Sequence, residues 1–299
     1  MKRKAIQLAH KTIVVSLPAK WVEQHGVKKG DEIDVEEIGD CLSIGPQIKN
    51  EQKKISLDVS GIESILHRVI GALYKAGYSE IKFTYNTAEE LSIIQKTINR
   101  SLMGFEAIEQ SKNQVVVQEI SKVDSAEFEK MFKKSFLLII SSGQESLEAI
   151  QNLDGEEMKK VVLIDDAVNR CCDFCRRLLN IEPKIGKPPS YFIIEQIEKI
   201  GDIYRDICRD MALKPFKLSS TMTEIYRDVN SLFYDFYELF YKFELKKIDL
   251  FSRKAKKIRE KIVEYIPNVP RKEIIILIYL KSILESTFDM NGPLLTQKL

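Results

Sequence analysis

Histidine, cysteine and tryptophan are scarce in this 299-residue chain, which holds 3 His, 5 Cys and 1 Trp. The histidines (His10, His25, His67) all precede the helical part of the sequence and none sits in a Glu-x-x-His pair, which argues against an oxidase of the ferritin type. The cysteines (Cys41, Cys171, Cys172, Cys175, Cys208) are odd in number and unevenly placed. That argues against a disulfide framework and for a reducing compartment. An excess of one charge is also missing: 46 Lys+Arg stand against 44 Asp+Glu, a formal net charge of +2. Histone-like binding is excluded by that balance, while a local basic surface is not. The most apolar run, Ile274–Leu280, is far shorter than the ~18–20 residues of a membrane span. The opening stretch is too short and too polar for a secretory h-region, so a cytoplasmic protein without membrane insertion is expected. With no nucleophile–base pair and no Gly-rich phosphate loop, no enzyme is expected.

What is present is a soluble globular composition, 44% hydrophobic and 30% charged, long enough for two or three domains. Three textures divide it. Residues 1–50 carry turn-like glycines (Gly26, Gly30, Gly39, Gly45) between short β-branched runs. A strand at Ile13–Val15, a short helix opened by Pro18, and a hairpin of 32–37 with 41–44 are expected there. Such a block is marginal as an independent fold at ~50 residues and calls for a second copy or a neighbour. Residues 51–120 read as a small βαβαββ domain, with a helix over 63–76 and another N-capped by Thr87. From 125 to 292 strand signals vanish, and helices are expected near 125–152, 156–180, 188–213, 219–246, 247–265 and 271–290, with breaks at Pro183–Pro189 and Pro293 among others. Six helices with mostly short connections are expected to form a helical bundle, or two three-helix bundles in series, 125–213 and 219–290. The fold class is therefore α+β multidomain.

The helical part carries an acidic ladder. Apolar residues recur from Ile193 to Met211 as a core-facing seam, while Glu198, Asp202, Asp206 and Asp210 recur every four residues roughly opposite it. Like charges one turn apart repel, so something cationic should offset them. One candidate is local, with Arg205 three residues from Asp202 and Arg209 three from Asp206. The other is a metal ion held by carboxylates one turn apart, with Glu285 and Asp289 as the second set. Glu198 to Glu285 and Asp202 to Asp289 are both steps of 87 residues, which together with the helix count suggests an internal repeat. Asp165, Asn169 and Asp173 show the same four-residue spacing and are a possible extension. Cys171, Cys172 and Cys175 lack a second thiolate or imidazole pair and read as apolar fillers.

At the amino end Lys2, Arg3, Lys4, Lys11 and Lys20 flank the first strand and short helix, while 31–40 is acid-rich. One basic face is what phosphate-backbone contacts require.

Two resemblances follow. Thr12-Ile-Val-Val-Ser-Leu-Pro18-Ala-Lys-Trp-Val and His25-Gly-Val-Lys-Lys-Gly-Asp31-Glu-Ile-Asp-Val-Glu resemble the swapped-hairpin DNA-binding module of AbrB, SpoVT and MazE proteins, over about residues 3–46. The resemblance implies an obligate dimer, hairpins of two chains interleaved into one barrel, and DNA contacts by Arg3, Lys11 and Lys20, with Lys4 beside them. Lysine stands where arginine is usual, which removes the bidentate fork that reads guanine. The helical region, about 125–290, resembles PhoU-type phosphate-uptake regulators. Ile197-Glu-Lys-Ile-Gly-Asp202-Ile-Tyr-Arg-Asp206-Ile is close to that family's signature, and Leu284-Glu-Ser-Thr-Phe-Asp289-Met is a weaker copy. This resemblance implies iron, manganese or a similar metal on Glu198, Asp202, Asp206, Glu285 and Asp289. The whole layout looks like an archaeal-type fusion of the two modules. It implies a dimeric DNA-binding regulator linked to phosphate homeostasis, with a phosphate transporter or sensor as protein partner. The alternative is an adaptor whose amino-terminal barrel serves only for dimerisation.

Overall fold

The computed structural model describes residues 1–9, 11–38, 41–46, 53–121, 126–182 and 188–299. It divides into two compact units, Met1–Gln52 and Lys53–Leu299.

In the first unit β1 (Ala5–Ala9) pairs antiparallel with β2 (Thr12–Val15), Ala5 opposite Val15 and Gln7 opposite Ile13. The strand β1 is additional to the sequence expectation. Helix α1 (Ala19–Gln24) starts at Pro18, whose carbonyl accepts the amides of Trp21 and Val22 at 3.0 Å each. The chain leaves α1 through Gly26 at φ +63°, a left-handed conformation that favours glycine. Asp31 then closes a turn, its carboxylate accepting the Lys28 amide at 2.7 Å. Strands β3 (Ile33–Ile38) and β4 (Cys41–Pro46) form the expected hairpin, with Val35 opposite Ile44. The expected Gly39-Asp40 turn lies outside the described residues. No described side chain of this unit is buried, and Ile6, Leu8, Ile13, Val15, Val35 and Leu42 are all exposed by half or more.

The second unit opens with the βαβαββ order read from sequence: β5 (Lys53–Asp58), α2 (Glu63–Lys75), β6 (Tyr78–Thr84), α3 (Ala88–Ser101), β7 (Phe105–Gln110) and β8 (Gln114–Glu119). Strand order is β5-β6-β8-β7, with β5 parallel to β6 and the other pairs antiparallel. Ile81 and Phe83 alternate inward on β6 and meet Leu66, Ile70 and Tyr74 of α2 and Ile94 and Ile98 of α3 in one core.

The entry to α3 is held by a capping box: Thr87 accepts the Glu90 amide at 3.1 Å, and Glu90 accepts the Thr87 amide at 2.9 Å. The inaccessible Glu90 carboxylate also accepts the amides of Gly61 at 2.6 Å and Asn86 at 2.7 Å. Gly61, Asn86 and Thr87 together hold its pKa at about 2, below the ordinary 4.5. A depressed carboxylate stabilises the fold above its unfolded pKa and ceases to do so as pH falls through the folded value. The melting-temperature gap between the parent and Glu90→Gln is therefore expected to be full at neutral pH and to close between pH 4.5 and about 2, as followed by circular dichroism. A gap independent of pH would contradict that role.

Among the described residues seven helices follow: α4 (Glu127–Asn152), α5 (Gly155–Ile181), α6 (Pro188–Leu213), α7 (Ser220–Tyr241), α8 (Leu245–Tyr265), α9 (Ile274–Asp289) and α10 (Asn291–Lys298). Asp154 caps α5 by accepting the amides of Glu156 and Glu157. The α7–α8 break falls at 242–244, earlier than the expected 246, and a 3-10 turn at Arg271–Glu273 delays α9. The segment around Pro293 is not a break but α10, which packs on α6 and α9. Proline in a first turn lacks only an amide that would have no helical partner. The Pro183–Pro189 break lies largely outside the described residues.

The two expected three-helix sets share one continuous core. Phe132 and Phe136 of α4 interlock with Phe233, Phe236 and Phe240 of α7, Phe136 lying 6.0, 6.2 and 5.3 Å from those three rings. Close by, Asn230 donates to the Gly143 carbonyl at 2.5 Å and accepts the Tyr204 hydroxyl at 2.7 Å. A Cβ on Gly143 would stand 2.9 Å from that hydroxyl, so only glycine lets the three helices approach there.

Arg177 of α5 joins the helices to the sheet layer. Its guanidinium is buried and donates to the carbonyls of Tyr74 at 2.7 Å and Tyr78 at 3.0 Å, and to Glu119 at 3.0 Å. It also lies 5.0 Å from the Tyr74 ring and 4.8 Å from the Phe105 ring.

Candidate nucleic-acid interface and acidic helix face

The basic residues expected to meet DNA all belong to the first unit and are all exposed: Arg3 and Lys4 precede β1, Lys11 lies at the β1–β2 turn, and Lys20 stands in α1. The α1 helix presents no acidic residue in its first turn. Trp21 is half-buried on the same helix and packs on His25 with ring centroids 4.7 Å apart.

The acidic ladder of α6 is divided among arginines and one tyrosine. Arg205 donates to Asp165 of α5 at 3.0 Å, to Asp206 at 2.9 Å and to Asp202. Arg209 stands 3.7 Å from Asp206, so both local pairings foreseen from spacing are present. Glu198 is held by the buried Arg176 of α5, which also holds Glu195 and, at 2.9 Å, Asp173. Asp210 accepts the Tyr279 hydroxyl of α9 at 3.1 Å. On α9 Glu285 is gripped through both oxygens by Arg259, at 2.9 Å from Nε and 2.6 Å from Nη2, and Asp289 is exposed at the helix end. The Arg259 guanidinium holds the Glu285 carboxyl below its ordinary pKa. Desolvation raises that of Asp165, whose Oδ1 is buried without a hydrogen-bond partner.

Glu198, Asp202 with Asp206, and Glu285 thus belong to three separate arginine-held groups. Among the described residues no three His, Cys, Asp or Glu side chains are grouped so as to hold a metal ion. In this arrangement the acids fit guanidinium groups and do not fit an iron or manganese ion. Asp165 and Asp173 go to different arginines, and Asn169 donates to Asp165 at 3.3 Å. Cys171, Cys172, Cys175 and Cys208 are buried, and burial pushes the Cys208 thiol up to about 12, as suits inert fillers.

Sequence reasoning passed over Arg176 and Arg177. Their signal is two adjacent arginines inside the run Cys175–Leu178, where every other residue is buried and apolar. A buried charge in such a position must have partners.

A family model described as antidote-toxin recognition MazE, bacterial antitoxin, matches residues 6–46. The amino-terminal segment is MazE-like. No curated protein matches the chain in sequence. Among solved structures the phosphate transport system regulatory protein PhoU from Streptococcus pneumoniae is similar over 57% of this chain and 93% of that one, at 13% identity and a TM-score of 0.49. The MazE-like segment accounts for less than half of the chain. Among the described residues no helix is long and apolar enough to cross a membrane.

Proposed function

We propose that the chain is a dimeric DNA-binding transcriptional regulator linked to phosphate uptake. The MazE-like segment supports a regulator, and the signature-like segment Ile197–Ile207 supports the link to phosphate. The observation that carries the reading is the first unit's own poverty: its two hairpins bury no described side chain and leave six large apolar residues exposed. Hairpins of that kind need a second layer to cover them. A second copy of the same unit supplies it and doubles the set of Arg3, Lys4, Lys11 and Lys20, giving a basic edge on each side of the dimer.

Direct binding tests this. The parent should bind promoter DNA upstream of phosphate-transport genes, with affinity falling steeply as salt rises. Lys11→Ala/Lys20→Ala removes four contacts per dimer and should flatten the log–log salt slope by about 3.6, at ~0.9 per neutralised phosphate. A double variant that binds DNA with the parent's affinity and slope would leave the barrel a dimerisation device and the chain an adaptor. A stable monomer in ultracentrifugation would remove the dimer itself.

A further inference from the structure

Helices α4 and α7 run antiparallel, with Asn230 bonded to Gly143 and Tyr226 to Ser146, and their outer edges bound a groove of 510 Å³. Ile140, Leu147 and Tyr234 give it an apolar surface, and of its lining residues only Glu148 and Arg227 carry charge. The same surface continues along both helices. Tyr234 begins a row with Tyr237 and Tyr241, successive ring centroids lying 6.2 and 5.2 Å apart. On α4, helical spacing puts Leu137 in one stripe with Lys133 and Ile140. Leu137 and Tyr234 are each 47% exposed. A strip of aliphatic side chains, tyrosines and an arginine has the composition of an interface core.

The charges at its ends select what covers it. Lys133 stands at one end of the α4 edge, its ammonium 5.8 Å from the Tyr241 ring, and Glu148 stands at the other. Arg227 ends the α7 edge beside Glu148. None of Lys133, Glu148 and Arg227 has an ion-pair partner among the described residues. Fifteen residues separate Lys133 from Glu148, and fourteen separate Arg227 from Tyr241. At ~1.5 Å per residue these are spans of about 22 and 21 Å. Their midpoints, at Ile140–Ser141 and at Tyr234, lie level with each other, because Gly143 is level with Asn230.

Equal spans with level midpoints make the face complementary to itself. A second copy turned over about an axis across the groove at that level lays α4 on the partner's α4 and α7 on the partner's α7, both antiparallel. Lys133 then meets the partner's Glu148, and the Tyr241 ring meets the partner's Arg227, a cation over an aromatic face. A uniformly acidic or uniformly basic partner would instead meet like charge at one end.

We propose that this face is a two-fold self-association surface of the helical part, α4 and α7 of two copies closing into a four-helix bundle. Every contact in such an interface occurs twice. No residue of the first unit takes part, so the surface is separate from the dimer proposed above.

Cross-linking of the full chain with a short bismaleimide tests this. Tyr234 lies on the axis, so Tyr234→Cys should join two copies at least tenfold faster than Leu163→Cys, an exposed position on α5. Both variants carry Cys41→Ser, and the native thiols of Cys171, Cys172, Cys175 and Cys208 are buried. Adding Lys133→Glu sets acid against acid twice and should slow the Tyr234→Cys reaction at least tenfold. Adding Glu148→Lys as well should restore it. Those two residues are about 22 Å apart within one chain, so one change repairs the other only through contact between copies. Cross-linking no faster than at Leu163→Cys, or a charge swap that does not restore the rate, would overturn the assignment. Ultracentrifugation of the same samples keeps the two readings apart, since a dimer without the Tyr234→Cys cross-link sinks this surface and leaves the first-unit dimer standing.

Discussion

Replacing Arg177 by Met is expected to lower stability by about 3–5 kcal/mol, the cost of removing one partner from a buried ion pair. The guanidinium carries two carbonyls, those of Tyr74 and Tyr78, and the Glu119 carboxylate, and it lies against both the Tyr74 and the Phe105 ring. Methionine fills part of the volume and satisfies none of these groups. Two carbonyls lose their donor and Glu119 keeps its charge with little access to water. Natural domains have only ~5–15 kcal/mol in hand, so the effect should be plain in urea unfolding. The lone tryptophan, Trp21, lies in the first unit, so its fluorescence should be unchanged while the circular dichroism midpoint falls. Arg177→Lys should recover part of the loss, because an ammonium keeps the charge without the planar fork. A methionine variant as stable as the parent would mean that the sheet layer is held by its other contacts.

Phe136→Ala is expected to cost about as much, ~3–5 kcal/mol, for a different reason. The ring is inaccessible and touches aromatic neighbours on α4 and α7, with Phe132 and Phe240 both 5.3 Å away. Truncation leaves a cavity where the first three-helix set meets the second, and both sets line it. One cooperative unfolding transition at a lower midpoint is expected from calorimetry. Phe136→Leu should cost much less, since most of the volume stays filled. Two separated transitions in the alanine variant would show that the sets are independent bundles that merely touch.

Much of this architecture could be read from sequence where short-range chemistry decides it. The Thr87 cap of α3 and Gly26 after α1 each act within a few residues, and each appears where expected. Strand β1 was passed over because Ile6 and Leu8 alternate only briefly beside the charged Lys2–Lys4 end. Helix α10 was hidden by reading Pro293 as a stop, although a first-turn proline breaks no helical bond.

The acidic ladder was legible as a ladder, and its pairing with Arg205 and Arg209 followed from helical spacing. What spacing could not supply was Asp165, brought to Arg205 from α5 by tertiary packing, or the Arg259 clamp on Glu285 from α8. Those contacts place the ladder's members in different ionic groups, whereas a metal reading needs them convergent.

The aromatic seam between α4 and α7 has a last implication, for ancestry. If the helical part began as a doubled gene segment, its halves have since grown mutually dependent. A piece ending at Leu213 would carry Phe132 and Phe136 naked into solvent, and the remainder would carry Phe233, Phe236 and Phe240. Neither could now be inherited alone as a soluble body, so later rearrangements of such a gene would have to move all six long helices as a block.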